Sequence, residues 1–181
     1  MEYGVILARF QPIHNGHLAL IEKACNENEK VLVLIGSIDK MNKRNPIPWT
    51  IRRDMVIKAL EERGLSEKVE VRELSDLSDE SHNDHEWGFY LYSNIVSIIN
   101  QANFSIYYSD GFEIITSWFP GFILRNNISL SLLARNATES GISATQIREM
   151  IMKDDEELKK WVPSCVYENK EQIKAFLNVF K

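Results

Sequence analysis

The segment Ala8-Arg9-Phe10-Gln11-Pro12-Ile13-His14-Asn15-Gly16-His17 places two imidazoles around one glycine within four residues. Imidazole N–H groups donate to phosphate oxygens, and a glycine lets a phosphate approach the backbone closely. A second string, Gly141-Ile142-Ser143-Ala144-Thr145-Gln146-Ile147-Arg148, reads as a capped helix start with an arginine in its second turn. Ser143 can cap that helix, and its amides with Thr145 form an anion-binding terminus. The Arg148 guanidinium can reach back toward a phosphate with two parallel N–H bonds. The chemistry that fits both strings is the handling of a polyphosphate. The chain has no GxGxxG, no GxxxxGK[ST] and no GxSxG, so dinucleotide-fingerprint, P-loop and serine-hydrolase chemistry are not expected.

Elements of alternating type must position these residues. Apolar runs at 3–8 (YGVILA), 30–36 (KVLVLIG), 69–74, 104–109 (FSIYYS) and 128–134 read as strands. Between them lie helical patterns at 15–28, from Thr50 as cap to Arg63 with Gly64 as stop, at 86–101, and at 110–119, ended by Pro120-Gly121. Beyond 143 the pattern is helical: one helix from Ser143, one over 154–161, and a third with Pro163 as its first residue. Alternation of this kind predicts an α/β, doubly wound parallel sheet with right-handed crossovers. One domain over 1–181 is expected, with a core of about 1–150 and C-terminal helices over about 151–181. The histidine string then lies at the carboxyl end of the first strand, where ligands sit in such sheets. Its helix start would offer unpaired N–H groups and a partial positive charge.

Composition narrows the classes. With 181 residues, 44% hydrophobic and 26% charged, the chain can build a core without disulfide or metal staples. Its two cysteines, Cys25 and Cys165, form no CxxC pair and suit a reducing compartment. No long apolar run and no signal-peptide pattern is present, so neither membrane spanning nor export is expected, and a cytoplasmic location follows. A net charge of −5 argues against general nucleic-acid binding. Lys40, Lys43 and Arg44 form a basic loop able to close over a triphosphate. Arg52 opens a helix where a cation opposes the dipole, which points to an anion nearby. Trp87 can stack on a flat cationic ring. Asp79, Glu80, His82, Asp84, His85 and Glu86 are dense, but their spacing matches no zinc pattern, and no protein-held metal is expected.

HxGH followed by an ISxTxxR-like string resembles the HxGH nucleotidyltransferase superfamily. The details are most similar to its nicotinamide-nucleotide (NMN) adenylyltransferases of the archaeal type. Arg9-Phe10-Gln11-Pro12 resembles that family's GRFQPFHxGH opening, Ile35-Gly36-Ser37 its second-strand end, and Asn45-Pro46 with Trp49 and Arg52 its NPFxxxER segment. Asn83-Asp84-His85-Glu86-Trp87 resembles its ND-x-x-W segment, and Trp161-Val162-Pro163-Ser164-Cys165-Val166 its W-x-x-LLPxxV tail. Ala8 stands for the usual glycine, Pro48 for Thr or Ser, Ala144 for Ser or Gly, and Ile51 for the glutamate before Arg52.

The resemblance implies a Rossmann-like nucleotidyltransferase fold and adenylyl transfer from ATP to NMN, giving NAD and pyrophosphate. It implies catalytic roles for His14, His17 and Arg148, and ATP binding by Arg9, Phe10, Gln11, Gly16, Ser143, Thr145 and Arg148. NMN binding falls to Asn83, Asp84, Trp87 and Arg52, with Asn83 or Asp84 on the carboxamide. Mg²⁺ enters with ATP, and a homo-oligomer is implied. The alternatives are another HxGH transferase, acting on nicotinate nucleotide, phosphopantetheine or choline phosphate, and a non-catalytic nucleotide-sensing module. No accompanying Nudix hydrolase domain is expected in a chain of this length.

Overall fold

The computed structural model describes residues 2–77, 84–135 and 141–181. Its elements run β1 (Tyr3–Ala8), α1 (Asn15–Glu27), β2 (Lys30–Ile35), α2 (Trp49–Glu62), β3 (Val69–Glu73) and α3 (His85–Ile99). They continue as β4 (Phe104–Tyr108), α4 (Phe112–Trp118), α5 (Gly121–Asn126), β5 (Ile128–Leu132) and α6 (Ala144–Met152). A 3₁₀ turn (Glu156–Lys160), α7 (Ser164–Glu168) and α8 (Lys170–Val179) complete the chain. The five strands form one parallel sheet in the order β3-β2-β1-β4-β5. Sheet growth reverses between β1 and β4, and the loops leaving the carboxyl ends of the strands bound a crevice there.

The strands read as their positions require. β2 (KVLVLI), covered on both faces, is buried from Val31 onward, whereas the edge strands β3 (VEVRE) and β5 (ISLSL) alternate. Successive side chains of the inner strands enter opposite cores. Ile6, Val31, Val33 and Ile35 pack with α1, α2 and the C-terminal helices, through residues such as Ile147, Leu158, Val166 and Ile173. Val5, Leu32 and Leu34 pack with α3, α4 and α5 through Trp87, Leu91, Phe119 and Ile123. The C-terminal helices therefore close one face of the sheet. No helix among the described residues is long and apolar enough to cross a membrane.

Several boundaries differ from the sequence expectation for local reasons. Thr50 does not cap α2: the helix begins one residue earlier, at Trp49, with Pro48 before it at φ −55°. Pro120-Gly121 does end α4, but Pro120 at once becomes the N-cap of α5, which starts at Gly121. Gly111, at φ +81°, delays α4 to Phe112. Pro163 precedes α7 instead of opening it. The 154–161 segment makes only a short 3₁₀ turn, capped by Asp155.

One contact sets the spacing of the second layer. A Cβ built on Gly88 of α3 would stand 1.9 Å from the Trp118 carbonyl oxygen and 2.5 Å from its carbon. The end of α4 can lie there only because residue 88 has no side chain, and the neighbouring Trp87 is thereby set edge-on to Trp118. Gly88→Ala should force α4 away and cost about 1–3 kcal/mol, as overpacking does. Urea unfolding should register that loss as a lower midpoint with an unchanged slope.

Candidate active site

The loop after β1 is shaped by buried polar groups. Phe10 and Ser37, at the carboxyl ends of β1 and β2, both have left-handed backbone, with φ +51° and +52°. Such non-glycine residues cost about 1–3 kcal/mol unless their surroundings fix them. Arg52, wholly buried, provides the fixing. It donates to the carbonyls of Ile47 (3.0 Å), Arg9 (2.6 Å), Gly36 (2.9 Å) and Ser37 (3.1 Å). Four of a guanidinium's five N–H donors are thereby spent on backbone. Burial first, then the neighbouring Arg9 cation, lowers its pKa to about 10, so it stays charged at neutral pH. The anion that its helix position suggested is in fact a set of carbonyl dipoles. With no surface open to a ligand, Arg52 organises the site and does not reach into it.

Gln11 and Phe10 are likewise internal. The Gln11 amide clamps the backbone of Ile47 in both directions, accepting at 3.0 Å and donating at 3.3 Å. Phe10 is 1% exposed, with its ring centroid 4.7 Å from that of His17. Both support the histidines from behind.

The two histidines cap their own helix. The Nδ1 of His14 accepts from the Gly16 amide (3.0 Å), and the Nδ1 of His17 accepts from the His14 amide (3.2 Å), in a reciprocal capping box. The imidazoles stack with centroids 3.8 Å apart. An Nδ1 that accepts must be unprotonated, so each neutral ring carries its proton on Nε2 as a donor. Burial, and then the charge of Arg135, holds His14 down to about pKa 4. Burial, His14 and then Arg135 hold His17 well below its ordinary value. The first amides of α1 are not unpaired as the sequence suggested: Asn15 N donates to the Trp161 carbonyl (2.9 Å), and those of Gly16 and His17 go to His14. Imidazole N–H groups take their place. His14, Gly16 and His17 line a cavity of about 50 Å³ with Ser109, Arg135 and Ile142.

At α6 the opposite holds. Ser143 caps through a box with Gln146, while the amides of Ala144 and Thr145 meet no acceptor among the described residues. Arg148 donates to the Gln11 carbonyl (2.9 Å) and toward Thr145 Oγ1 (3.4 Å), which ties α6 to the histidine loop. Burial, then Arg9, lowers the pKa of Arg148. Arg9, Arg52 and Arg148 thus share one field, whose mutual repulsion a polyanion would relieve.

A second cavity, of about 270 Å³, opens beside the same strand ends and is lined by Ala8, Arg9, Ser37, Arg44, Asp76, Trp87 and Trp118 among others. Trp87 is both core and cavity wall, at 4% exposure. Asp84 caps α3, accepting from the Trp87 amide at 3.0 Å. Asn83 lies outside the described residues, as do Asp79, Glu80 and His82. Of the basic loop, Lys40 stands 3.6 Å from Asp39, and Asn42 Oδ1 accepts from the amides of Arg44 and Asn45. No group of three or more His, Cys, Asp or Glu side chains able to hold a metal occurs among the described residues. Arg135, Asp76 and Trp118 line these cavities without belonging to any of the sequence motifs. Arg135 directly follows the expected last strand, at the ligand edge, and that was the available signal. Nothing local marked Asp76 or Trp118.

Comparison with known proteins agrees with this geometry. Residues 5–150 match the cytidylyltransferase-like family. The nicotinamide-nucleotide adenylyltransferase of Thermococcus kodakarensis is 31% identical over 178 residues, 95% of this chain and 84% of the relative. That of Thermococcus onnurineus is 29% identical over 178 residues, covering 95% and 83%. Among solved structures, a bifunctional NMN adenylyltransferase/ADP ribose pyrophosphatase from Francisella tularensis, complexed with AMP and a manganese ion, superposes with a TM-score of 0.71 at 20% identity. It covers 97% of this chain and 51% of its own, so the chain spans about half the length of that protein, and the likeness concerns the fold. The chain belongs to the cytidylyltransferase-like family and, within it, to the nicotinamide-nucleotide adenylyltransferases.

Proposed function

We propose that this chain transfers the adenylyl group of ATP to nicotinamide mononucleotide. An oxygen of the mononucleotide phosphate attacks the α-phosphorus in line. The bond from that phosphorus to the bridging oxygen breaks, and pyrophosphate leaves as NAD forms. The attacking phosphate monoester is largely a dianion at neutral pH, so no general base is needed. Catalysis is positioning and charge stabilisation. The observation that carries this reading is the pair of Nε2–H donors of His14 and His17, set at the carboxyl edge of β1 beside the α6 terminus.

In this reading His14 and His17 donate to the phosphates, with His17 nearest the developing charge. Arg148, Thr145 and the free amides after Ser143 hold the β- and γ-phosphates. Arg9, exposed after β1, lines the larger cavity and in this reading bridges the substrates, and Arg135 adds positive charge beside the imidazoles. Gly16 leaves the approach to the imidazoles open. Phe10, Gln11 and Arg52 act through backbone position. Trp87 meets the base, while Asp84 contributes chiefly as the cap that orients Trp87. Mg²⁺ arrives as the magnesium complex of ATP, a form it commonly takes because it binds mainly through substrate phosphates.

The direct test is incubation with ATP, Mg²⁺ and nicotinamide mononucleotide, with parallel reactions on nicotinate mononucleotide, phosphopantetheine and choline phosphate. NAD should form, and product only from another acceptor would refute the reading. His17→Ala should lower turnover on the order of 10²–10³-fold, as loss of one transition-state donor does. Its stability should fall by only about 1 kcal/mol from the lost cap.

The pH behaviour follows from the buried imidazoles. An unfolded histidine takes up a proton near its ordinary pKa of 6.5, but His14 in the folded chain resists until about 4. Between these values the unfolded state binds more protons, so stability is full above pH 6.5 and declines as the pH falls toward 4. In the ligand-free protein, NMR titration should find the His14 ring neutral down to about pH 5 and the His17 ring protonating only well below the ordinary histidine value. A ring protonating at its ordinary value would contradict the assigned donors.

A further inference from the structure

A third cavity, of about 610 Å³, lies between the basic loop, α6 and the end of α8, and only its Thr145 and Arg148 have a part in the reading above. We infer that this groove binds a phosphate monoester with an apolar tail, the tail along α6 and α8 and the phosphate where Lys43, Arg44 and Arg148 line the wall. The inference rests on the functional reading in one respect: Arg148 is shared with the triphosphate, so the occupant competes with ATP.

Three observations carry it. The first is the wall. Thr145, Arg148, Glu149 and Met152 recur at three- and four-residue spacing, so the groove follows one face of α6 for about two turns, roughly 10 Å. Pro46, Met152, Leu177 and Phe180 make its surface apolar, and all four are buried or half-buried. No side-chain amide lines the groove and Thr145 is its one hydroxyl. The edge of a nucleobase would leave polar atoms unpaired there, at a cost that a hydrocarbon tail does not incur. An α-helix is about 10–12 Å across with its side chains, so the same volume holds little more than one turn of a partner helix. The second observation is charge. The lining residues include five cations, Lys43, Arg44, Arg148, Lys153 and Lys181, against the single carboxylate of Glu149, in a chain of net charge −5. Lys43, Lys153 and Lys181 form no ion pair among the described residues. An apolar slot rimmed by unmatched cations is complementary to an anion with a hydrocarbon body. The third is the head-group site. Arg148 gives N–H bonds to the Gln11 carbonyl and toward Thr145 Oγ1, which leaves three of a guanidinium's five donors for a ligand. Its planar fork matches phosphate oxygens, and a phosphate monoester offers three of them to the fork and the lysines where a carboxylate offers two.

The test is titration calorimetry on the full chain without ATP, using dodecyl phosphate below its micelle concentration, with dodecanol and inorganic phosphate as the two halves of the probe. Dodecyl phosphate should bind with a Kd of about 0.1 mM, the affinity usual for a ligand of its size, and each half at least about tenfold more weakly. Phe180→Ser, which removes a tail contact, should weaken binding about tenfold. Lys153→Glu should weaken it about fivefold, as reversal of a rim charge does. Thermal midpoints check that both variants fold, and both should form NAD at the wild-type rate. Dodecyl phosphate should raise the wild-type KM for ATP and leave that for the mononucleotide within about twofold, because the two anions draw on one guanidinium. Absence of dodecyl phosphate binding, dodecanol binding of equal strength, or binding undiminished in both variants overturns the inference. If Phe180→Ser does not fold, Lys153→Glu decides alone. Binding that leaves KM for ATP unchanged overturns the placement of the phosphate beside Arg148. Wild-type protein that makes no NAD sinks the functional reading, while the calorimetry, which contains no ATP, still decides whether the groove binds.

Discussion

A single buried guanidinium governs the geometry of the ligand edge. Arg52 joins the carbonyls at the ends of β1 and β2 to the loop before its own helix, and three of those carbonyls belong to or flank left-handed residues. Hydrogen bonds from a charged donor are each worth about 1.5–3 kcal/mol, more than those between neutral groups. Together they exceed the strain of the two turns they hold. The cost of burying the charge is met because nearly every N–H has a partner. Phe10 can then turn inward behind His17, Gln11 can clamp Ile47, and the histidine loop has one conformation to offer.

Electrostatic design at this edge relies on directed dipoles as well as net charge. Both imidazoles are buried and stand beside the Arg135 cation, and burial first, then that charge, keeps them neutral. A neutral ring still donates, and its direction is fixed by the amide bonded to the other nitrogen. The two helix starts divide the work. The first amides of α1 go to the His14 ring and the Trp161 carbonyl, whereas those of Ala144 and Thr145 at the start of α6 meet no acceptor among the described residues, and Arg148 stands in the next turn. An acidic chain thus assembles a local positive pocket without a basic overall composition.

Much of the architecture was legible because each element carried its own period and punctuation. The apolar run of β2, the alternation in β5 and the capping serine of α6 each stated their place. Boundaries failed where a proline or glycine had two possible uses. Pro120 can end one helix or begin the next, and only the packing of Ile123 into the second core decides. The histidine string and Arg148 were legible because spacing and residue type together limit the chemistry. A cation opposing a helix dipole marks Arg52 in the sequence, yet its partners are carbonyls from three segments that only the fold brings together.

The amino-acid sequence by itself determined the alternation of strands and helices, the placing of two imidazoles at a strand end, and the likeness to a family of adenylyl-transferring enzymes. These are properties of residues near one another along the chain, where periodicity and capping act. Tertiary structure alone decided the neutrality of the imidazoles, the structural duty of Arg52, and the meeting of Trp118 with Trp87 and of Arg135 with the histidines. Protonation follows from burial, and burial from which distant segments pack together. The same holds for the absence of a Cβ at Gly88, which becomes a constraint only when another helix arrives beside it.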